Sequence, residues 1–99
     1  EKGVRILERN FRSYHGEIDI IAMEEQCILV VEVKMRSSRE CGTPAEAVNL
    51  RKQKRICYTF NYYRMKKQIS ENTAVRFDVL EVDRTFQCHW IKNAFEFQE

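Results

Sequence analysis

An α/β fold, with a mixed sheet packed by a helix, is what this 99-residue chain predicts. Three observations lead there. Five short runs rich in β-branched and aliphatic residues are separated by polar turns. One long stretch between the third and fourth runs has helical periodicity instead. Finally, residues 27–33 are apolar on both alternating faces until Glu32, the pattern of a strand covered from both sides.

Taken in order, Glu1-Lys2-Gly3 resembles the end of a helix, with Gly3 suited to the position just past its last turn. Residues 4–7 form a strand and lead into Glu8-Arg9-Asn10-Phe11-Arg12. Arg9 and Arg12 are candidate phosphate contacts, because guanidinium groups pair bidentately with phosphate oxygens. The competing reading is a solvated strand edge held by salt bridges. Ser13-Tyr14-His15-Gly16 is a turn, and His15 reads as a surface histidine.

Residues 16–34 are the centre of the chain. Two strands flank the polar turn at Glu24-Glu25-Gln26, and their charges fall in unusual places. In the second strand Ile28, Val30, Glu32 and Lys34 share one face, with Leu29, Val31 and Val33 on the other. In the first, Glu17, Asp19 and Ile21 oppose Ile18, Ile20 and Ala22. A hairpin with Glu25-Gln26 at its tip puts Asp19 opposite Glu32 and Glu17 opposite Lys34; Glu-Gln is a poor two-residue turn, so a slipped register stays open. In that register two carboxylates meet about 5 Å apart, where like charges are destabilising. A shared proton, a cation such as Lys34, or a divalent metal would relieve them.

Residues 35–42 are a polar loop carrying Arg36, Ser37, Ser38 and Arg39, placed where a substrate backbone can pass. A helix is predicted from Thr43 to about Lys67: Thr43 suits the N-cap, Pro44 the first turn, and Glu46 completes a capping box. Its apolar stripe is Val48, Ile56, Phe60 and Tyr63, with Ala45 and Thr59 beside it, and Lys52 falls on that stripe. Lys52 either snorkels to water from the sheet surface or reaches the acids and a bound phosphate. Arg51, Lys54 and Arg55 point outward and, with Lys66 and Lys67, make a basic face available to phosphates. Residues 68–73 are a polar linker, and residues 74–82 a strand with Val75, Phe77 and Val79 opposite Arg76, Asp78 and Leu80. Arg76 and Asp78 suit a structural ion pair. After a turn at Asp83-Arg84-Thr85, residues 86–91 form the last strand, and Phe95 docks on the core.

Asp19 followed by Glu32-Val33-Lys34 resembles the D…ExK core of the PD-(D/E)XK nuclease superfamily. Five ordered motifs resemble the YraN-like family of small bacterial proteins more closely. They are Arg9-Asn10-Phe11-Arg12, Gly16-Glu17-Ile18-Asp19, Val31-Glu32-Val33-Lys34, Arg76-Phe77-Asp78-Val79 and Asn93-Ala94-Phe95. The resemblance implies a restriction-endonuclease-like three-layer α/β sandwich similar to Holliday-junction resolvases, with residues 1–99 as one domain that lacks the family's leading helix and its glutamate. It also implies a Mg²⁺ or Mn²⁺ site at Asp19, Glu32 and the Val33 carbonyl, with Lys34 catalytic, Glu17 secondary, and Lys52 beside the acids.

Composition sets the outer limits. A formal charge of +2 permits nucleic-acid binding without arguing for it. No apolar run approaches a membrane span. Four scattered cysteines lack the paired spacing of a zinc site and read as thiols in a reducing cytoplasm. Three functional classes follow: a metal-dependent nuclease on branched or single-stranded DNA, a non-cleaving nucleic-acid module, or a protein-interaction domain, dimeric or not.

Overall fold

The structure, a computed structural model, describes residues 3–35 and 48–97. Strands β1 (Val4–Ser13), β2 (Gly16–Glu24) and β3 (Cys27–Met35) precede helix α1 (Leu50–Lys66), and β4 (Ala74–Val82) and β5 (Cys88–Phe95) follow it. The five strands lie side by side in chain order. Neighbours are antiparallel except β3 and β4, which run parallel because the connection carrying α1 returns the chain to the starting end of the sheet. The result is a mixed sheet with, among the described residues, one helix on one face.

The hairpin register is the expected one. Glu24 pairs Cys27 and the ladder continues to Ile20–Val31, with Glu25 absorbing the tight turn at a φ of 55°. Two residues, Tyr14 and His15, likewise close β1 onto β2, where the His15 N–H donates to the Ser13 hydroxyl. Past Ile20 the β2–β3 ladder stops, and the Asp19 carboxylate accepts the Val33 N–H at 2.9 Å in place of a main-chain bond. Side-chain alternation slips there. Ile20 and Ala22 keep to the far face as expected, but Ile18 joins Ile21 in the core under the helix.

That core is built by Ile56, Cys57, Phe60 and Tyr63 of α1 against Ile21, Ile28, Val30, Phe77, Val79 and Phe95 of the sheet. Each such fully buried side chain contributes about 1.5–3 kcal/mol from removal of apolar surface from water. Edge-to-face contacts join Phe60 to Phe77 (6.3 Å) and Phe11 to Tyr63 (5.0 Å). Phe95 stacks on Phe77 at 5.1 Å, the docking expected of it. β2 meets the helix at Gly16, where a Cβ would make ordinary contacts with Arg55 Cβ (3.4 Å) and Thr59 Oγ1 (3.5 Å), beside the Ser13–Thr59 hydroxyl pair at 2.9 Å.

Two expectations are corrected. A single helix from Thr43 is excluded, because Asn49 is extended (φ −71°, ψ 165°) and caps α1 with its side chain accepting from the Lys52 N–H at 2.9 Å. Thr43, Pro44 and Glu46 lie outside the described residues. The last strand starts at Cys88 and contains Asn93-Ala94-Phe95, while Phe86 is exposed in a turn with φ 63°. Asp83 holds that turn, accepting from the Thr85 N–H and hydroxyl and from the Gln87 N–H.

On the far face, Asp78 is fully buried and accepts four hydrogen bonds: two from the Arg76 guanidinium, one from the Trp90 indole and one from the Asn93 N–H, all at 2.8–2.9 Å. The last contact coincides with a register shift in β5, where Asn93 adopts φ 53°. In β1, a shift lies between Ile6 and Glu8 and Asn10 also has φ 53°. Arg76 and Asp78 are thus the structural pair expected of them, extended to Trp90 and β5.

Candidate functional site

The hairpin of β2 and β3 delivers Asp19 and Glu32 to one place, and the start of α1 roofs them. Together they line an open cleft of ≈ 540 Å³ with Glu17 and Val33 on the sheet side and Asn49, Arg51, Lys52 and Arg55 on the helix side. Glu32 is only 4% exposed, and its carboxylate forms an ion pair with the Lys52 ammonium, which remains 45% exposed. The two chemical demands on Glu32 oppose each other. Burial is the larger, pushing its carboxyl above the ordinary carboxylate range; the Lys52 contact pulls it down, and Asp19 pushes it up again by repulsion and by a hydrogen bond to the protonated form. A raised acid beside a second acid at the floor of a cleft marks a functional-site candidate.

The other candidate residues divide. Of the two readings of Lys52, the one in which it reaches the acids is the observed geometry. The expected partner of Glu17 is corrected: its carboxylate accepts from Arg12 Nε at 2.9 Å, not from Lys34. Because the β2–β3 ladder ends at Ile20–Val31, β2 does not hold Glu17 across from Lys34. Lys34 is half-buried on β3, level with Glu81 of β4, and is not among the residues lining the cleft. Arg12 lies in a neighbouring groove, Arg9 is exposed on β1 outside both, and Arg36 is outside the described residues. Val33 is at the cleft, its N–H committed to Asp19.

Arg51 and Arg55 were expected to point away, yet both line the cleft. Their spacing with Lys52 was the available signal, since it spreads three cations around the first turns of one helix; only the angle at which α1 crosses the hairpin brings all three over the acids. Asn49 reaches the same rim because it caps α1 there.

Two oxygens, one each on Asp19 and Glu32, are already engaged by the Val33 N–H and by Lys52. The other oxygen of each carboxyl is a hard donor of the kind Mg²⁺ and Mn²⁺ take, with waters completing the shell. No group of three or more His, Cys, Asp or Glu side chains that could hold a metal occurs among the described residues. The described side-chain donors are two carboxyl groups, so an ion held there would retain several waters. No described helix is long and apolar enough to cross a membrane.

Fold and site together define a mixed-sheet α/β domain with a buried glutamate beside a half-buried aspartate under a basic rim. The uncharacterised protein family UPF0102 matches residues 1–82, and the chain belongs to that family. It is 44% identical over 96 residues to a UPF0102 protein of Lachnoclostridium phytofermentans, covering 97% of this chain and 80% of that one. A UPF0102 protein of Clostridium botulinum strain 657 is 46% identical over 99 residues (95% and 80% covered), and one of Clostridioides difficile strain 630 is 49% identical over 81 residues (82% and 70%).

Proposed function

We propose that this domain is a divalent-metal-dependent endonuclease of the PD-(D/E)XK type, resembling the YraN-like family, and that it hydrolyses phosphodiester bonds in branched or single-stranded DNA. The observation that carries the reading is Glu32: a buried acid beside Asp19, opening onto a cleft whose rim is cationic. The mixed sheet, with both acids on its central hairpin, supports the restriction-endonuclease-like assignment.

Asp19 and Glu32 would hold Mg²⁺ or Mn²⁺ with the Val33 carbonyl, and the ion would supply a bound water of lowered pKa and offset charge on the phosphate. The chain's own residues do the rest. The Val33 N–H fixes the Asp19 carboxyl in place before any ligand arrives. Arg51 and Arg55 can take phosphate oxygens of the strand and position the scissile bond. Lys52 offsets the Glu32 charge, and its half-exposed ammonium lines the cleft where a phosphate oxygen would approach. Lys34, two residues from Glu32 on the same strand, is the residue the D…ExK pattern assigns to orienting the water.

The Lys52–Glu32 contact also favours a second reading, a nucleic-acid-binding module without cleavage. A lysine already offsets part of the buried charge, so Glu32 has a counter-charge without a metal. One experiment separates the two. Labelled four-way junction, linear duplex and single-stranded DNA are incubated with Mg²⁺ or Mn²⁺, with Glu32→Gln, Lys34→Ala and EDTA as controls. The nuclease reading expects cleavage that disappears in Glu32→Gln, in Lys34→Ala and in EDTA. Salt-sensitive binding with no turnover above Glu32→Gln replaces it with the second reading. Neither binding nor cleavage leaves the acid–lysine cluster as architecture, the case for a protein-interaction domain.

A further inference from the structure

Beside the acid cleft, sharing Gly16, Glu17, Arg51 and Arg55 as common wall, lies a second groove of ≈ 700 Å³. Its floor is aromatic. The His15 ring, from the β1–β2 turn, stacks on Tyr58 of α1 with centroids 5.2 Å apart and planes 28° from parallel. Tyr14 stands edge-on to His15 at 5.4 Å and 86°. None of this serves the core: Tyr14 is 98% exposed and Tyr58 58%. Around these rings the described lining carries Arg12, Arg51, Lys54 and Arg55 against the single carboxylate of Glu17.

We propose that the Tyr14–His15–Tyr58 shelf is a binding site for unpaired nucleotides, stacking their bases while the flanking arginines and Lys54 hold the backbone that leads into the acid cleft. The inference rests on the nucleic-acid reading above and names its substrate feature, an unpaired segment adjoining the bond to be cut. Exposed π-faces set among cations are the construction by which proteins hold single strands, because any splayed base offers a face to stack on. A base inside a duplex has both faces already covered by its neighbours, so a blunt duplex can use the cations here but not the rings. The shared wall makes a strand lying on the shelf continuous with Asp19 and Glu32 without crossing the helix.

The test measures binding in EDTA, so that no cleavage intervenes, with three probes: fluorescein-labelled dT15, a blunt 15-base-pair duplex, and the same duplex with an unpaired dT tail. A copy of the tail containing 2-aminopurine reports stacking by quenching. Wild-type protein is expected to prefer the two probes with unpaired bases and to quench 2-aminopurine. Tyr58→Ala and Tyr14→Ala, at exposed positions, should each weaken binding of those probes by roughly 5- to 150-fold and abolish quenching. Tyr58→Phe should retain both, and the blunt duplex should bind all variants alike. Lys54→Ala should lower the salt dependence of single-strand binding by about 0.7 in the log–log slope. Equal losses on all three probes, or none on any, would overturn the shelf. Cleavage of the tailed duplex in Mg²⁺ is then measured separately. Cleavage with unaltered binding in Tyr58→Ala removes the shelf and keeps the nuclease; Tyr58-dependent binding without cleavage does the reverse.

Discussion

Replacing Asp78 by asparagine keeps the shape of the side chain and removes one charge from a site where every partner is a donor. One carboxylate oxygen accepts from Arg76 Nε and the Asn93 N–H, the other from an Arg76 terminal nitrogen and the Trp90 indole. An asparagine can place its carbonyl oxygen toward one pair only. Its NH₂ then faces the other pair, donor against donor, in either orientation. Hydrogen bonds to a charged group are worth about 1.5–3 kcal/mol each, and two are lost. Arg76 keeps a partial partner in Glu24 at 3.5 Å, which softens the result. The loss should therefore be about 3–5 kcal/mol, the usual cost of breaking a buried pair. That is a large share of the roughly 5–15 kcal/mol a small domain has, and at about 5 °C per kcal/mol it lowers the melting temperature by roughly 15–25 °C. Urea unfolding followed at Trp90 checks it well, because this is the chain's only tryptophan and it reports on Asp78 directly. Far-UV circular dichroism supplies the second probe. A loss under about 1 kcal/mol with an unchanged denaturant slope would refute the view of Asp78 as the hub joining β4 to β5.

Two further outcomes concern the cleft. Glu32 titrates above its ordinary range in the folded state, so folding disfavours its ionised form; the cost is absent at pH below the usual carboxylate range and grows as pH rises through the raised folded value. Glu32→Gln should therefore gain stability relative to wild type as pH rises above the usual carboxylate range, and Mg²⁺ should stabilise wild type but not the variant, as calorimetry from acid to neutral pH would show. Lys52→Met removes the contact that lowers the Glu32 carboxyl, so carboxyl-detected NMR should find Glu32 titrating higher still. Its stability cost at neutral pH should be about 1–3 kcal/mol, because Glu32 is left buried without its cation while water screens the half-exposed lysine end.

Much of the hairpin was legible in the sequence. Glu25-Gln26 is an unfavoured turn and left a slip open, but the strands and the pairing of Ile21 with Val30 are those the apolar runs suggested. Strand β4 and the Arg76–Asp78 pair were legible for the same reason, strict alternation over a long run. Helix position was not. Thr43-Pro44 is a good local start signal, and nothing in the propensities shows that α1 has its own start at Asn49. Nor was the choice between Lys34 and Lys52 as the cation beside Glu32. Lys34 is near in sequence, but Lys52 becomes near only when α1 crosses the hairpin. The His15–Tyr58 stack joins residues 43 positions apart whose types alone suggest only surface.

The two left-handed asparagines bear on how this molecule behaves in a crowd. Among the described residues β1 and β5 are the outermost strands of the sheet, and the outer side of each offers a row of backbone donors and acceptors that a neighbouring copy could extend. Asn10 interrupts one row and Asn93 the other, each in a strand whose register shifts. A flat edge would template strand after strand; an interrupted one turns its hydrogen-bonding groups out of line after a few residues. Both ends of the sheet are thereby made poor seeds for edge-to-edge aggregation, without a proline in either strand.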